Sequence, residues 1–127
     1  MQGKHLYEYA VIRAVPRVER EEFVNVGVMV CCKKTNELYC KFSLNKDKVL
    51  ALDKEADLTL HDAYLLSFRQ VCSGEPNGSP ISLLDAASRF RWLTAQRSSM
   101  IQTSRPHVGF AYDLKQVTDD LFDKFVV

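Results

Sequence analysis

The chain has 127 residues, of which 46% are apolar and 26% are charged. This length suits one folded domain covering residues 1–127, and this balance excludes a disordered or strongly charged chain. The formal net charge of +1 argues against DNA capture through a general excess of basic residues, because such capture depends on the release of many counterions.

Three strands are predicted in the first third of the chain. Aromatic and β-branched residues alternate with other residues over 6–15, 23–33 and 37–44. Pro16 ends the first strand, because proline cannot donate to a strand ladder. The polar segment 34–36 fits a hairpin turn between the second and third strands. In the second strand, alternation predicts one face formed by Val24, Val26, Val28 and Val30.

The rest of the chain is predicted to be mainly helical. Apolar residues recur at spacings of three and four, which predicts helices at 59–73, 82–94 and 113–125. A short turn is predicted at 47–53, and one short strand is predicted at 100–103. Thr59 and Gly74 suit the two ends of the first long helix. Early strands followed by helices predict an α+β fold, in which an antiparallel sheet of three to four strands has its helices packed on one face.

The four cysteines lack the spacing of a zinc site. Cys31 and Cys32 are adjacent, and neither Cys40 nor Cys72 completes a C-x₂₋₄-C pair. We therefore expect buried, reduced thiols, no metal and no cofactor. The sequence shows neither a signal peptide nor an apolar run long enough to span a membrane. These features predict a protein of a bacterial-type cytoplasm with no membrane contact.

The segment from residue 89 to residue 112 is strongly basic. It has a net charge of +4 with no acidic residue, so the rest of this +1 chain carries −3. Arginine forks and hydroxyl groups are good ligands for phosphate and carboxylate, so the segment predicts an anion-binding or partner-binding surface. Its candidate residues are Arg89, Arg91, Arg97, Ser98, Arg105 and His107. The alternative is a solvated face whose arginines pair with Glu19, Glu21, Glu22 or the C-terminal aspartates.

A second group of candidate binding residues lies near the end of the first strand. Arg13, Arg17 and Asn25 are brought close by the strand and the loop that follows it, together with Glu21 and Glu22. An ordinary charged surface is the alternative interpretation. No nucleophile motif or phosphate loop is found, and the three histidines lack metal-ligand spacing. No catalytic residue is predicted, and a non-enzymatic protein is favoured.

Two motifs carry a resemblance to a known family. The first reads YAVIRAVPR over residues 9–17 and EFVNVGV over 22–28, and the second reads RFRWLTAQRS over 89–98. Together they resemble the bacterial domain-of-unknown-function 3037 family over nearly the whole chain. The resemblance implies no established activity or catalytic residue set. It does imply a genomic context, because members are often encoded beside a HipA-like kinase of the toxin–antitoxin class.

Three functional hypotheses follow from these features. The leading one is a non-enzymatic accessory or regulatory module that binds a protein partner, with a HipA-like kinase as the candidate, through the arginine-rich surface. The second is a nucleic-acid-binding or RNase-like protein in which Arg97, Arg105 and His107 hold phosphates and Glu22 or His107 acts as a base. The third is a protein that binds a small phosphorylated metabolite in an arginine-lined pocket.

Overall fold

The computed structural model describes residues 3–76, 79–96 and 99–127. In chain order its elements are β1 (His5–Ala14), β2 (Val24–Cys32), β3 (Glu37–Phe42), α1 (Lys46–Leu52), α2 (Leu58–Ser73), α3 (Ala86–Thr94), β4 (Ile101–Thr103), β5 (His107–Ala111) and α4 (Leu114–Phe125). Short 3₁₀ turns cover Val18–Arg20 and Pro80–Leu83. The predicted α+β class is confirmed.

The sheet is antiparallel and has five strands, one more than the largest sheet predicted. Its order is β3-β2-β1, and the free side of β1 pairs with β4 at one end and with β5 at the other. Ser104 lies between β4 and β5, and its backbone N–H donates to the carbonyl of Val11 over 2.8 Å. Its hydroxyl accepts the Val11 N–H over 2.9 Å, so a side chain continues the ladder where the strand bends.

A β-bulge in β2 changes the face of the sheet toward which its side chains point. Ile12 pairs with Gly27 but Arg13 pairs with Asn25, which leaves Val26 as an extra residue in β2. An extra residue moves the following side chains to the opposite face. Val24 and Val26 therefore pack in one core, while Val28 and Val30 pack in the clusters on the other face. The prediction that these four valines share one face is wrong.

Helices cover both faces of the sheet rather than one. The main core holds one face of β1 and β2 against Val49 of α1, Leu65 of α2 and Phe90 of α3. On the opposite face, Leu114 and Phe122 of α4 pack against the remaining strand residues. Eight of the nine residues of β2 are buried, because a central strand enclosed on both faces needs apolar side chains on both.

Aspartates begin three of the helices. Asp57 caps α2, Asp85 caps α3 and Asp113 caps α4, each by accepting a backbone N–H from the first turn. The α2 cap lies two residues before the predicted Thr59. Gly74 ends α2 with φ 73°, the left-handed conformation expected for this position. Because Asp85 starts α3, the predicted helix 82–94 is shorter and is preceded by a 3₁₀ turn.

All four cysteines are free thiols. Cys31, Cys32 and Cys72 are buried, and Cys40 is half-buried. Burial raises the pKa of the Cys31 thiol to about 11, so this sulfur stays protonated at neutral pH. Within the described ranges, no helix has the length and apolar character needed to cross a membrane.

Candidate functional site

Arg13 lies at the centre of a polar row that crosses three strands. Its register partners are Asn25 on β2 and Gln102 on β4. The bulge at Val26 creates this row, because it brings Asn25 opposite Arg13. The row lies beside largely buried apolar residues of β1 and β2, so its buried polar atoms need hydrogen-bond partners.

The guanidinium of Arg13 has no carboxylate partner in the described part of the chain. Its Cζ lies 4.1 Å from the ring centroid of Phe23, a cation–π distance. Its Nε is buried and has no hydrogen-bond partner among the described atoms. Burial lowers the pKa of Arg13 below its ordinary value, yet an arginine stays charged at neutral pH. A partly desolvated cation is suited to binding an anion, and because Nε itself is buried, a ligand would contact the part of the guanidinium that borders the cavity described next.

A polar cavity of about 520 Å³ opens beside this guanidinium. It is lined by Arg13, Val18, Glu21, Ala95, Gln96, Gln102 and Thr103. A neighbouring recess of about 290 Å³ shares Gln96 and Thr103 and adds Thr94, Ser104, Arg105 and Pro106. We call the two together the Arg13 cleft.

The charges around the Arg13 cleft favour anions. Two arginines, Arg13 and Arg105, line it against the single carboxylate of Glu21. Glu21 adopts a left-handed conformation with φ 58° at the end of a 3₁₀ turn, and its side chain is exposed. No ion pair joins Glu21 to Arg13 among the residues that the structure describes, so the guanidinium fork is available to a ligand.

Asn25 links the polar row to the C-terminus of α4. Its Nδ2 donates to the carbonyl of Phe125 over 3.1 Å. Its Oδ1 is buried and has no hydrogen-bond partner in the described chain. Asn25 therefore has a structural role and keeps an unused acceptor beside Arg13.

Arg89 is engaged inside the fold. Its Nη1 donates to the carbonyls of Val71 and Cys72 over 3.0 and 2.6 Å, and its Nε donates to the carbonyl of Leu84 over 3.0 Å. These contacts place a cation at the C-terminus of α2, where it complements the helix dipole. The side chain joins α2 to α3.

The other predicted residues make different contacts from those of Arg89. Arg91 is exposed, and its Nη2 lies 3.4 Å from the hydroxyl of Ser88. Arg17 is 3.8 Å from both Glu19 and Asp53. His107 is exposed on β5 with its ring centroid 5.2 Å from that of Tyr9. Arg97 and Ser98 lie outside the described residues.

Trp92 borders a second, more apolar cavity between α2 and α3. This cavity measures about 380 Å³ and is lined by Tyr64, Ser67, Phe68, Val71, Ser79, Trp92, Leu93, Ser99 and Ile101. The Trp92 side chain is 42% exposed, so it forms a rim rather than a part of the core. It lies on α3, which also ends at the Arg13 cleft.

The described part of the chain brings no three potential metal ligands together. Among the described residues, the Arg13 cleft holds two guanidinium groups, two side-chain amides, hydroxyls and the carboxylate of Glu21. All of these groups except the carboxylate can donate hydrogen bonds to carboxylate or phosphate oxygens. Sequence reasoning identified Arg13, Asn25 and Arg105 but missed Phe23, Gln96 and Gln102. Their only signal is pairing across strands and loops, which periodicity does not reveal.

A family model described as "Protein of unknown function (DUF3037)" matches residues 9–126. No curated protein and no solved structure matches the chain significantly. The matched range contains all the residues of the Arg13 cleft.

Proposed function

The chain belongs to the DUF3037 family, and from this premise we propose that it is a non-enzymatic accessory module that binds an acidic group of a protein partner in the Arg13 cleft. The observation that carries the proposal is the half-buried guanidinium of Arg13, stacked on Phe23 without a carboxylate partner among the described residues. A charge that is partly removed from water gains most from a partner anion.

The geometry of the cleft supports recognition of an oxyanion. A planar guanidinium can donate two parallel hydrogen bonds to a carboxylate or a phosphoryl group. Gln96 offers an amide donor on the same cavity wall, and Arg105 adds a second positive charge from the adjoining recess. The Gln102 Nε2 already donates to the carbonyl of Ser99 over 2.9 Å, which leaves its second N–H for a ligand. The strand pairing of Arg13 holds its backbone in place, which reduces the entropy lost on binding.

The family resemblance supplies the candidate partner. Members are often encoded beside a HipA-like kinase, and a cytoplasmic module with an anion-binding cleft fits a regulator of such an enzyme. An acidic side chain of the kinase, or a phosphorylated one, would enter the cleft. Arg105 would then contact the acidic group from within the cleft and the exposed Arg91 would contact the surface of the partner, while Arg89 supports the fold.

Direct binding to a HipA-like kinase, the partner that the family resemblance suggests, tests the proposal. We expect Arg13→Gln to raise the Kd at least tenfold, which is about 1.4 kcal/mol. The Kd of Arg13→Lys should fall between the values of wild type and Arg13→Gln, because lysine keeps the charge but loses the planar fork of the guanidinium. Arg69→Gln is the matched control, since Arg69 is exposed on α2 and does not line the cleft. Equal affinities for wild type and Arg13→Gln, or no binding of the kinase by wild type, would refute it.

A second candidate function rests on the size of the cavity. Its volume of about 520 Å³ is in the range of small-molecule sites, so a phosphorylated metabolite is the alternative ligand. A thermal-shift screen separates the two. A ligand at 100 times its Kd stabilises a fold by about 2.7 kcal/mol, and this shift should disappear in Arg13→Gln. The nucleic-acid alternative predicts affinity that falls steeply with salt.

A further inference from the structure

The outer edge of β5 is unpaired in the described chain. β5 pairs with β1 alone, so one row of its backbone groups faces away from the sheet. The direction of that row follows from β1. The N–H and C=O of Val11 and the N–H of Val15 point to the side of β1 on which β4 and β5 lie. The odd-numbered residues of β1 therefore form the backbone hydrogen bonds to β5. The hydrogen-bonded pairs include Tyr7 with Gly109.

Val108 and Phe110 therefore direct their backbone N–H and C=O groups outward. They alternate with the β5 residues that bond to β1. Their side chains are 64% and 65% exposed, and Leu6, which is the register partner of Phe110, is 53% exposed. The α1–α3 layer does not extend over this end of the sheet. The edge thus combines unpaired backbone groups with three exposed apolar side chains, beside the exposed Glu8 that is the register partner of Val108.

β5 lacks the features that usually prevent edge pairing. Natural edge strands carry lysines, inward-pointing charges or prolines within the strand. The segment His107–Ala111 contains no lysine, arginine, acidic residue or proline. Gly109 lies at the centre of β5 and has no side chain on the face that Tyr7 occupies. A Cβ added there would lie 2.5 Å from the ring of Tyr7. This leaves a short strand that can accept another strand.

We propose that β5 pairs with β5 of a second copy of this chain, which joins two five-stranded sheets into one ten-stranded sheet. Antiparallel pairing around a twofold axis at Gly109 places Val108 opposite Phe110 of the second copy, and the reverse. The two outward residues of each strand then exchange four backbone hydrogen bonds. The same pairing brings the exposed side chains of Leu6, Val108 and Phe110 together from both copies.

Charge complementarity supports this register. In this register the chain that leads into β5 from Arg105 lies near the chain that leads out of β5 to Asp113 of the other copy, just beyond each end of the paired segment. Both residues are exposed. Asp113 caps α4 through one oxygen, which leaves the other free. Lys4 and Lys115 lie at the same end as Asp113, so we expect only a small dependence of the dimer on salt.

The dimer should be weak. Pro106 and the start of α4 limit the pairing to five residues of each strand. So short a pairing buries less area than the roughly 1,600 Å² of a standard interface. A surface of this size fits a dissociation constant in the micromolar range or above. Self-association should therefore increase with protein concentration rather than be complete at all concentrations.

Sedimentation velocity over a wide concentration range tests the proposal. Wild type should shift from monomer to dimer as concentration rises. Val108→Pro removes an outward N–H without touching the β1 ladder, and Phe110→Lys sets a charge opposite the partner strand. Both should weaken association at least tenfold. Leu83→Lys is the matched control, because Leu83 is 73% exposed away from β5, and it should leave association unchanged.

Hydrogen exchange on the wild type keeps the test independent of variant folding. The amides of Val108 and Phe110 should exchange more slowly as concentration rises, while the amide of Gly109, already bonded to β1, should change little. A wild type that stays monomeric at every concentration would overturn the proposal. So would a dimer that Val108→Pro and Phe110→Lys weaken no more than Leu83→Lys. Protection of these two amides only on addition of another protein would assign the edge to that protein instead.

Discussion

Replacing Arg89 with alanine should destabilise the fold far more than replacing its neighbour Arg91. Arg89 donates three hydrogen bonds to backbone carbonyls, two of them at the C-terminus of α2. Arg91 makes one contact of 3.4 Å to the hydroxyl of Ser88 from an exposed position. The two arginines lie on the same helix and differ only in what their side chains contact.

The expected cost follows from these contacts. A hydrogen bond from a charged donor contributes about 1.5–3 kcal/mol, and a cation near a helix C-terminus contributes about 0.3–1 kcal/mol. Part of the side chain is exposed, so the sum is reduced, and Arg89→Ala should lose about 3 kcal/mol. The unfolding entropy near 2.1 cal/mol/K per residue then converts this into a fall in Tm of roughly 11 °C for the whole chain.

Thermal and urea denaturation of wild type, Arg89→Ala and Arg91→Ala measure the difference. Arg91→Ala should remain within about 0.5 kcal/mol of wild type. A loss below about 1 kcal/mol for Arg89→Ala, or equal losses for the two variants, would refute the assignment of Arg89 to the α2–α3 connection. In that case its guanidinium would return to the list of candidate ligand-binding groups.

Three further predictions concern buried polar and glycine positions. His61 is fully buried, and neither ring nitrogen has a hydrogen-bond partner in the described chain. Burial lowers the pKa of His61 in the folded protein. As the pH falls through about 6.5, this imidazole therefore gains a proton only in the unfolded chain. Urea titrations should therefore show that His61→Leu is more stable than wild type, with an advantage that grows below that pH. Ser104→Ala leaves the buried N–H of Val11 unsatisfied and should cost about 1–3 kcal/mol in chemical denaturation. Gly27→Ala places a Cβ 2.5 Å from the Cβ of Phe42 and should lower stability by about 1–3 kcal/mol, whereas Gly3→Ala, with nothing within 4 Å, should be neutral in the same assay.

Local patterns were sufficient to predict most elements. The alternation in residues 6–15 and 23–33 corresponds to β1 and β2, and the helix predicted at 113–125 corresponds to α4. β5 was missed because its five residues follow Pro106 and contain Gly109, two residues that discourage a strand. Its apolar residues are the exposed ones, so they provide no core signal.

Tertiary features were beyond sequence reasoning. The bulge at Val26 depends on pairing with Arg13, and it reverses the faces of the valines on either side. The role of Arg89 depends on carbonyls 17 and 18 residues away. α4 packs on the opposite face because β2 is apolar on both faces. In the sequence, the same run of apolar residues also fits a strand with only one deeply buried face. In each case the deciding partner is distant in the chain.

The candidate site was predicted in part. Basic composition drew attention to arginine, but composition cannot distinguish Arg89, which is bonded inside the fold, from Arg13, which lies beside a cavity. That distinction needs the position of each carbonyl and carboxylate. The two glutamines and Phe23 of the site come from different elements and have no common spacing.

The NMR signal of the Arg13 Nε–H is the most direct test of the central claim, because this atom is buried and has no partner in the described chain. It should be followed while a HipA-like kinase, the proposed partner, is added to the labelled protein, and separately while inorganic phosphate or acetate is added. We predict that the kinase shifts the Arg13 signal and leaves the Arg69 Nε–H signal unchanged, with a smaller shift from the simple anions. An Arg13 signal that does not move at saturating kinase would contradict the account.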